Sequence, residues 1–95
     1  MKKLIMGFLI LLFSLSVNAQ TVTELLDEAQ NSIKMAFEAH GNLKSPYEYS
    51  KAVTYYEIAK EETSKMNVDA GKAAALQSIE WALRAISNAY TGGEK

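Results

Sequence analysis

The sequence predicts an all-α protein, a small antiparallel three-helix bundle that follows an export signal. Three observations predict it. Apolar residues recur at three- and four-residue spacing from Val22 to Tyr90, the period of a helix with one buried face. Strand-like alternation is absent. Capping patterns, Thr21–Glu24 and Ser45–Glu48, stand at the heads of two of these stretches.

Residues 1–19 have the three parts of a secretory signal. Met1-Lys2-Lys3 is a short basic region, Leu4 to Val17 is an apolar run broken only by Gly7, Ser14 and Ser16, and Val17-Asn18-Ala19 is a cleavage pattern before Gln20. The run is shorter than the roughly 20 apolar residues of a spanning helix, so cleavage after Ala19 is expected, with no stable membrane anchor afterwards. The expected location is the periplasm or the medium outside a bacterial cell. The chain has no cysteine, which excludes disulfides and a lipid anchor on a cysteine after the cleavage site. Without Lys2 and Lys3, eight basic side chains face eleven acidic ones, a net charge of −3. A weakly acidic chain without basic clusters is a poor nucleic-acid binder and a poor ligand for anionic lipid.

The domain is expected over residues 20–90. Helix one, at about 21–40, opens on the Thr21–Glu24 capping box and buries Val22, Leu25, Leu26, Ala29, Ile33, Ala36 and Phe37, with Gly41 as its C-terminal stop. Residues 41–44 form a short connector. Helix two, at 46–66, opens with Ser45 as cap, Pro46 at its first position and Glu48 closing the box. Its core face holds Tyr49, Ala52, Val53, Tyr56, Ala59, Thr63 and Met66, and Lys51, Lys60 and Lys65 alternate with Glu57, Glu61 and Glu62 on the wet side. Asp69 is the expected cap of helix three, at 70–90. That helix has a large stripe, Leu76, Ile79, Leu83, Ile86 and Tyr90, beside a small one, Ala75, Ser78, Ala82, Ala85 and Ala89. Trp81 and Ala74 widen the apolar arc beyond what one neighbour covers, so helix three is expected to be central. Residues 91–95 are expected to form a flexible tail.

Catalytic chemistry finds little material. His40 is the sole histidine, and Asp27 and Asp69 are the only aspartates, which excludes a His-rich metal site and a histidine dyad. His40 is either a partly exposed terminal residue or a helix cap sensitive to pH. Glu57 and Glu61 share a face, as an acid–base pair would, but the lysines beside them favour a solvated ion-pair lattice. Gly71-Lys72 near a helix start lacks the rest of a phosphate loop. No enzyme and no cofactor are expected. The five tyrosines are the unusual feature. Tyr49 and Tyr56 are assigned to the core. Tyr47 and Tyr55 with Ile58 form a candidate interaction surface, joined by Trp81 if helix one leaves it uncovered.

Ser45-Pro46-Tyr47-Glu48-Tyr49, then Ala52, Tyr55-Tyr56, Ala59-Lys60-Glu61-Glu62, Asp69-Ala70 and an Ala-rich helix together resemble an uncharacterised family of bacterial envelope proteins, a domain of unknown function numbered forty-three ninety-eight. The resemblance covers Ser45 to Ala89. It implies export and no known activity, and association with peptidoglycan by family analogy, because members sometimes precede a peptidoglycan-binding domain. It also implies a hairpin similar to a single tetratricopeptide unit. The chain departs from the family in having no lipidation cysteine and no appended domain. A tetratricopeptide array needs about three units to bury its faces, and helix one is expected to serve as the missing layer.

The expected function is that of a non-catalytic exported envelope protein, a helical protein-interaction or structural module that binds another envelope protein or itself. The alternative is a small periplasmic carrier or chaperone-like binder of an apolar ligand or cargo, with a cavity between helices one and two beneath the tyrosines.

Overall fold

The computed structural model describes residues 20–91. The expected signal peptide and nearly all of the expected tail lie outside these residues. Four helices follow in order: α1, Val22–Glu38; α2, Gly41–Lys44; α3, Pro46–Ser64; and α4, Val68–Thr91. All-α architecture is therefore as expected. The connector at 41–44 is itself one helical turn, closed by the Ser45 amide donating to the Gly41 carbonyl at 2.8 Å.

The start of α1 follows its sequence. The Thr21 hydroxyl accepts from the Glu24 amide at 3.1 Å, and the Glu24 carboxylate accepts from the Thr21 amide at 3.0 Å. Its end corrects an expectation. The left-handed residue is His40, at φ 66°, with its amide donating to the Phe37 carbonyl at 2.9 Å. Gly41 has ordinary φ and is buried for another reason: a Cβ there would stand 2.8 Å from the Ala36 carbonyl oxygen and 3.4 Å from the Ala85 Cβ. A glycine is needed for close approach, and the histidine bears the turn.

Pro46 opens α3 as expected, but Ser45 does not cap it. The buried Ser45 hydroxyl donates instead to the Glu48 carboxylate at 2.6 Å and accepts from the Asn88 side-chain amide at 3.1 Å. The expected box is thus replaced by a side-chain pair, Ser45–Glu48, and a tertiary bond to α4. The helix ends two residues earlier than expected, in a Schellman motif. The Met66 amide donates to the Thr63 carbonyl at 3.0 Å and the Asn67 amide to the Glu62 carbonyl at 2.9 Å, with Met66 at φ 67°.

Asp69 is not the cap of α4 either. The Asn67 carbonyl already accepts from the Gly71 amide at 2.9 Å, so the helix has begun by Val68. Asp69 lies in the first turn, where the helix dipole favours a negative charge.

Consecutive long helices run antiparallel. Ser45 meets Asn88 at one end of the α3–α4 pair, and the Ser78 hydroxyl meets the Ala52 carbonyl in its middle. The first and last long helices run side by side in the same direction: Val22 approaches Gly71 at one end, and Gly41, just beyond α1, approaches Ala85 at the other. α4 is the central element, with nine buried residues against four in α1 and two in α3.

The core is built mainly of alanine. One cluster joins Leu25, Ala29, Ala59, Ala74, Ala75 and Ile79; the other joins Ala36, Ala52, Ala82, Ala85 and Ile86. The small stripe of α4 is therefore buried throughout, whereas Leu76 and Leu83 of the large stripe are half-buried and Tyr90 is exposed. Alanine lets the backbones approach closely, and packing then relies on many small dispersion contacts. Tyr49 and Tyr56, assigned to the core, are half-buried at the edges of these clusters, whereas Phe37 and Met66, also assigned to buried faces, are exposed at or just beyond the ends of their helices.

Candidate interaction surface

One ridge of α3 carries Tyr47, Lys51, Tyr55 and Ile58, spaced by four, four and three residues and so aligned along the helix. Across the seam, α4 contributes Trp81 and Arg84, three apart. The Tyr47 and Trp81 rings meet edge to face, with centroids 5.7 Å apart and planes at 86°. The Lys51 ammonium lies 5.7 Å from the Tyr47 centroid, 5.9 Å from Tyr55 and 5.8 Å from Trp81. The Arg84 guanidinium stands closer, 4.6 Å above Trp81. At nearly 6 Å each lysine contact belongs at the weak end of the roughly 0.5–1 kcal/mol range for exposed cation–π pairs. The three rings position the cation more than they stabilise the fold.

The four residues assigned from sequence, Tyr47, Tyr55, Ile58 and Trp81, thus lie on one seam, but with different roles. Tyr47 is 62% exposed and Ile58 is 38% exposed. Tyr55 is half-buried and packs against the first core cluster, so its outer edge alone is available. Trp81 is half-buried and packs against the second. Lys51 and Arg84 were not singled out by sequence. The ladder Tyr47-Lys51-Tyr55 was the signal: a cation with an aromatic four residues to either side stands between two rings on a helix.

The other candidate positions lie apart from this seam. Glu57 and Glu61 are exposed and pair with Lys60 at 3.5 Å and Lys65 at 3.6 Å, as a solvated lattice would. Gly71 is buried, and a Cβ there would clash with the Thr63 hydroxyl, so this glycine serves helix contact. His40 is exposed. Among the described residues no cluster of His, Asp or Glu could hold a metal ion, and no helix is long and apolar enough to cross a membrane. An open groove of about 200 Å³ lies between α1 and α4, lined by Met35, Glu38, Ala39, Ile86 and Tyr90. It does not involve the tyrosines of α3, beneath which a cavity was expected.

Comparison of the chain with protein-family models, with curated proteins and with solved structures returns no match.

Proposed function

We propose that this protein is a non-catalytic exported envelope protein whose three long helices present the outer seam of the α3–α4 hairpin to a protein partner. The observation that carries this is the joint placement of Tyr47, Trp81, Lys51 and Arg84 on one accessible seam. Tyrosine, tryptophan and arginine are the residue types that dominate interface energetics, because each combines a large apolar surface with a polar tip. The signal pattern of residues 1–19 supports export, with a partner in the periplasm or outside the cell.

Site-specific photocrosslinking in the exporting cell tests this. A photoreactive residue at position 47 is expected to trap one defined adduct that disappears when Trp81→Ala and Arg84→Ala are added. The same group at Lys34, exposed on α1, is expected to trap none. Equal adducts from both positions, or none from position 47, would contradict the proposal.

A further inference from the structure

We infer that the outer seam of α3–α4 receives an acidic segment of a partner protein that also carries apolar side chains. This rests on the interaction role proposed above and assigns the chemistry of the partner. Lys51 and Arg84 meet its carboxylates, while Tyr47, Ile58 and the exposed edge of Trp81 pack against its apolar groups.

The state of the two cations carries the inference. Among the described residues the ion pairs are Lys60–Glu57 and Lys65–Glu61, both in the C-terminal half of α3. Lys51 and Arg84 are held by rings instead. Glu80 stands four residues before Arg84, a spacing at which helical ion pairs form, yet the guanidinium lies over Trp81. Glu48, three residues before Lys51, accepts from the Ser45 hydroxyl at 2.6 Å.

A guanidinium carries five N–H donors, and a contact with one ring face 4.6 Å from its central carbon cannot engage all of them. The contact therefore orients Arg84 and leaves donors for an anion, so the ordering cost of binding is partly met before the partner arrives. Lys51 and Arg84 thus offer two cations held over rings on a chain whose net charge is −1. Such a site selects for acidic partners and against basic ones. A second copy of the chain is the weaker occupant, because Glu57 and Glu61 already face lysines of their own helix.

The single tryptophan lies in the seam, so its emission reports occupancy directly. The purified protein is titrated with three short peptides: one of Glu and Leu, one with Lys in place of every Glu, and one of Glu and Ser. A saturable shift with the Glu–Leu peptide is expected, weaker with Glu–Ser and absent with Lys–Leu. Lys51→Gln with Arg84→Gln should weaken the Glu–Leu complex by about tenfold or more while the helical circular dichroism is retained. Equal binding of the Lys–Leu peptide, or unchanged affinity in the double variant, would overturn the acidic assignment and leave the interaction role standing. Crosslinks from position 47 without any peptide binding would do the same. Absence of both would overturn the two together. A dimer in light scattering that the double variant abolishes would assign the seam to a second copy and overturn the acidic partner.

Discussion

The Ser78 hydroxyl donates a 2.7 Å hydrogen bond to the carbonyl of Ala52 at the centre of the α3–α4 interface, where both residues are fully buried. A side chain as small as serine is what permits the bond, because it brings the donor to a helix backbone rather than to another side chain. Ser78→Ala removes one bond but keeps the volume, and the Ala52 carbonyl retains its intrahelical partner, so the cost should be about 1 kcal/mol. Ser78→Leu should cost more, about 1–3 kcal/mol, by forcing the helices apart. Urea unfolding of both variants checks the order, and a milder effect of leucine than of alanine would contradict the close-packed seam.

Gly71 and Thr63 form a second coupled pair. A Cβ at Gly71 would clash with the Thr63 hydroxyl, which itself donates to the Ala59 carbonyl at 2.7 Å. Its other nearest neighbours, the Val22 Cγ2 at 3.4 Å and the Ala59 carbonyl at 3.5 Å, allow ordinary contact. Gly71→Ala alone should therefore destabilise the protein. In a Thr63→Ala background the same change should become neutral or stabilising, by up to about 1 kcal/mol, because alanine is the better helix former. A double-mutant cycle measured by urea unfolding reads this coupling directly. Additive effects would place the obstruction in the backbone instead.

His40 and Met66 occupy left-handed conformations at φ 66° and 67°, where a side chain is strained and glycine is not. Neither hydrogen bond of the turn needs the side chain, since both turns close through backbone amides. His40→Gly and Met66→Gly should each raise stability by roughly 0.5–1 kcal/mol in thermal melts, less the entropy that glycine adds to the unfolded chain. A loss of stability at position 66, where the side chain is 83% exposed, would show that the turn is not the strained element.

What was legible in the sequence is either local in its partners or written in helical periodicity. Thr21 and Glu24 are three apart and form the box that their identities imply. Pro46 starts α3 because its φ is already set and its missing amide is not needed there. The alanine and serine stripe of α4 is buried because small residues at helical spacing leave room for a second backbone. The misread positions have partners that are distant in sequence. Ser45 gives up its capping role to bond Glu48 and Asn88, and nothing near Ser45 announces Asn88. Gly41 looked like a helix stop because it follows a helix, yet it is fixed by Ala36 and Ala85.

The same distinction holds for the seam. Tyr47, Tyr55 and Ile58 could be placed together because one helix face aligns them. Lys51 was read as one more solvated lysine, since its contact with Trp81 depends on how α4 lies against α3. Tyr55 was assigned to the surface, but it packs against the first core cluster and most of it is covered.

Separation of this seam from the core is the central claim, and urea unfolding of two variants tests it most directly. Leu25 is fully buried among alanines that cannot collapse far, so Leu25→Ala should cost about 3–5 kcal/mol, more than Leu83→Ala, whose side chain is half-buried. The triple variant Tyr47→Ala, Lys51→Gln, Arg84→Gln removes the exposed ring and both cations of the seam but no buried side chain. It should cost less than about 2 kcal/mol, since exposed aromatic and cation–π contacts each contribute under about 1.5 kcal/mol. A triple variant that loses as much stability as Leu25→Ala would show that the seam holds the fold together, and would contradict its assignment as a surface kept for a partner.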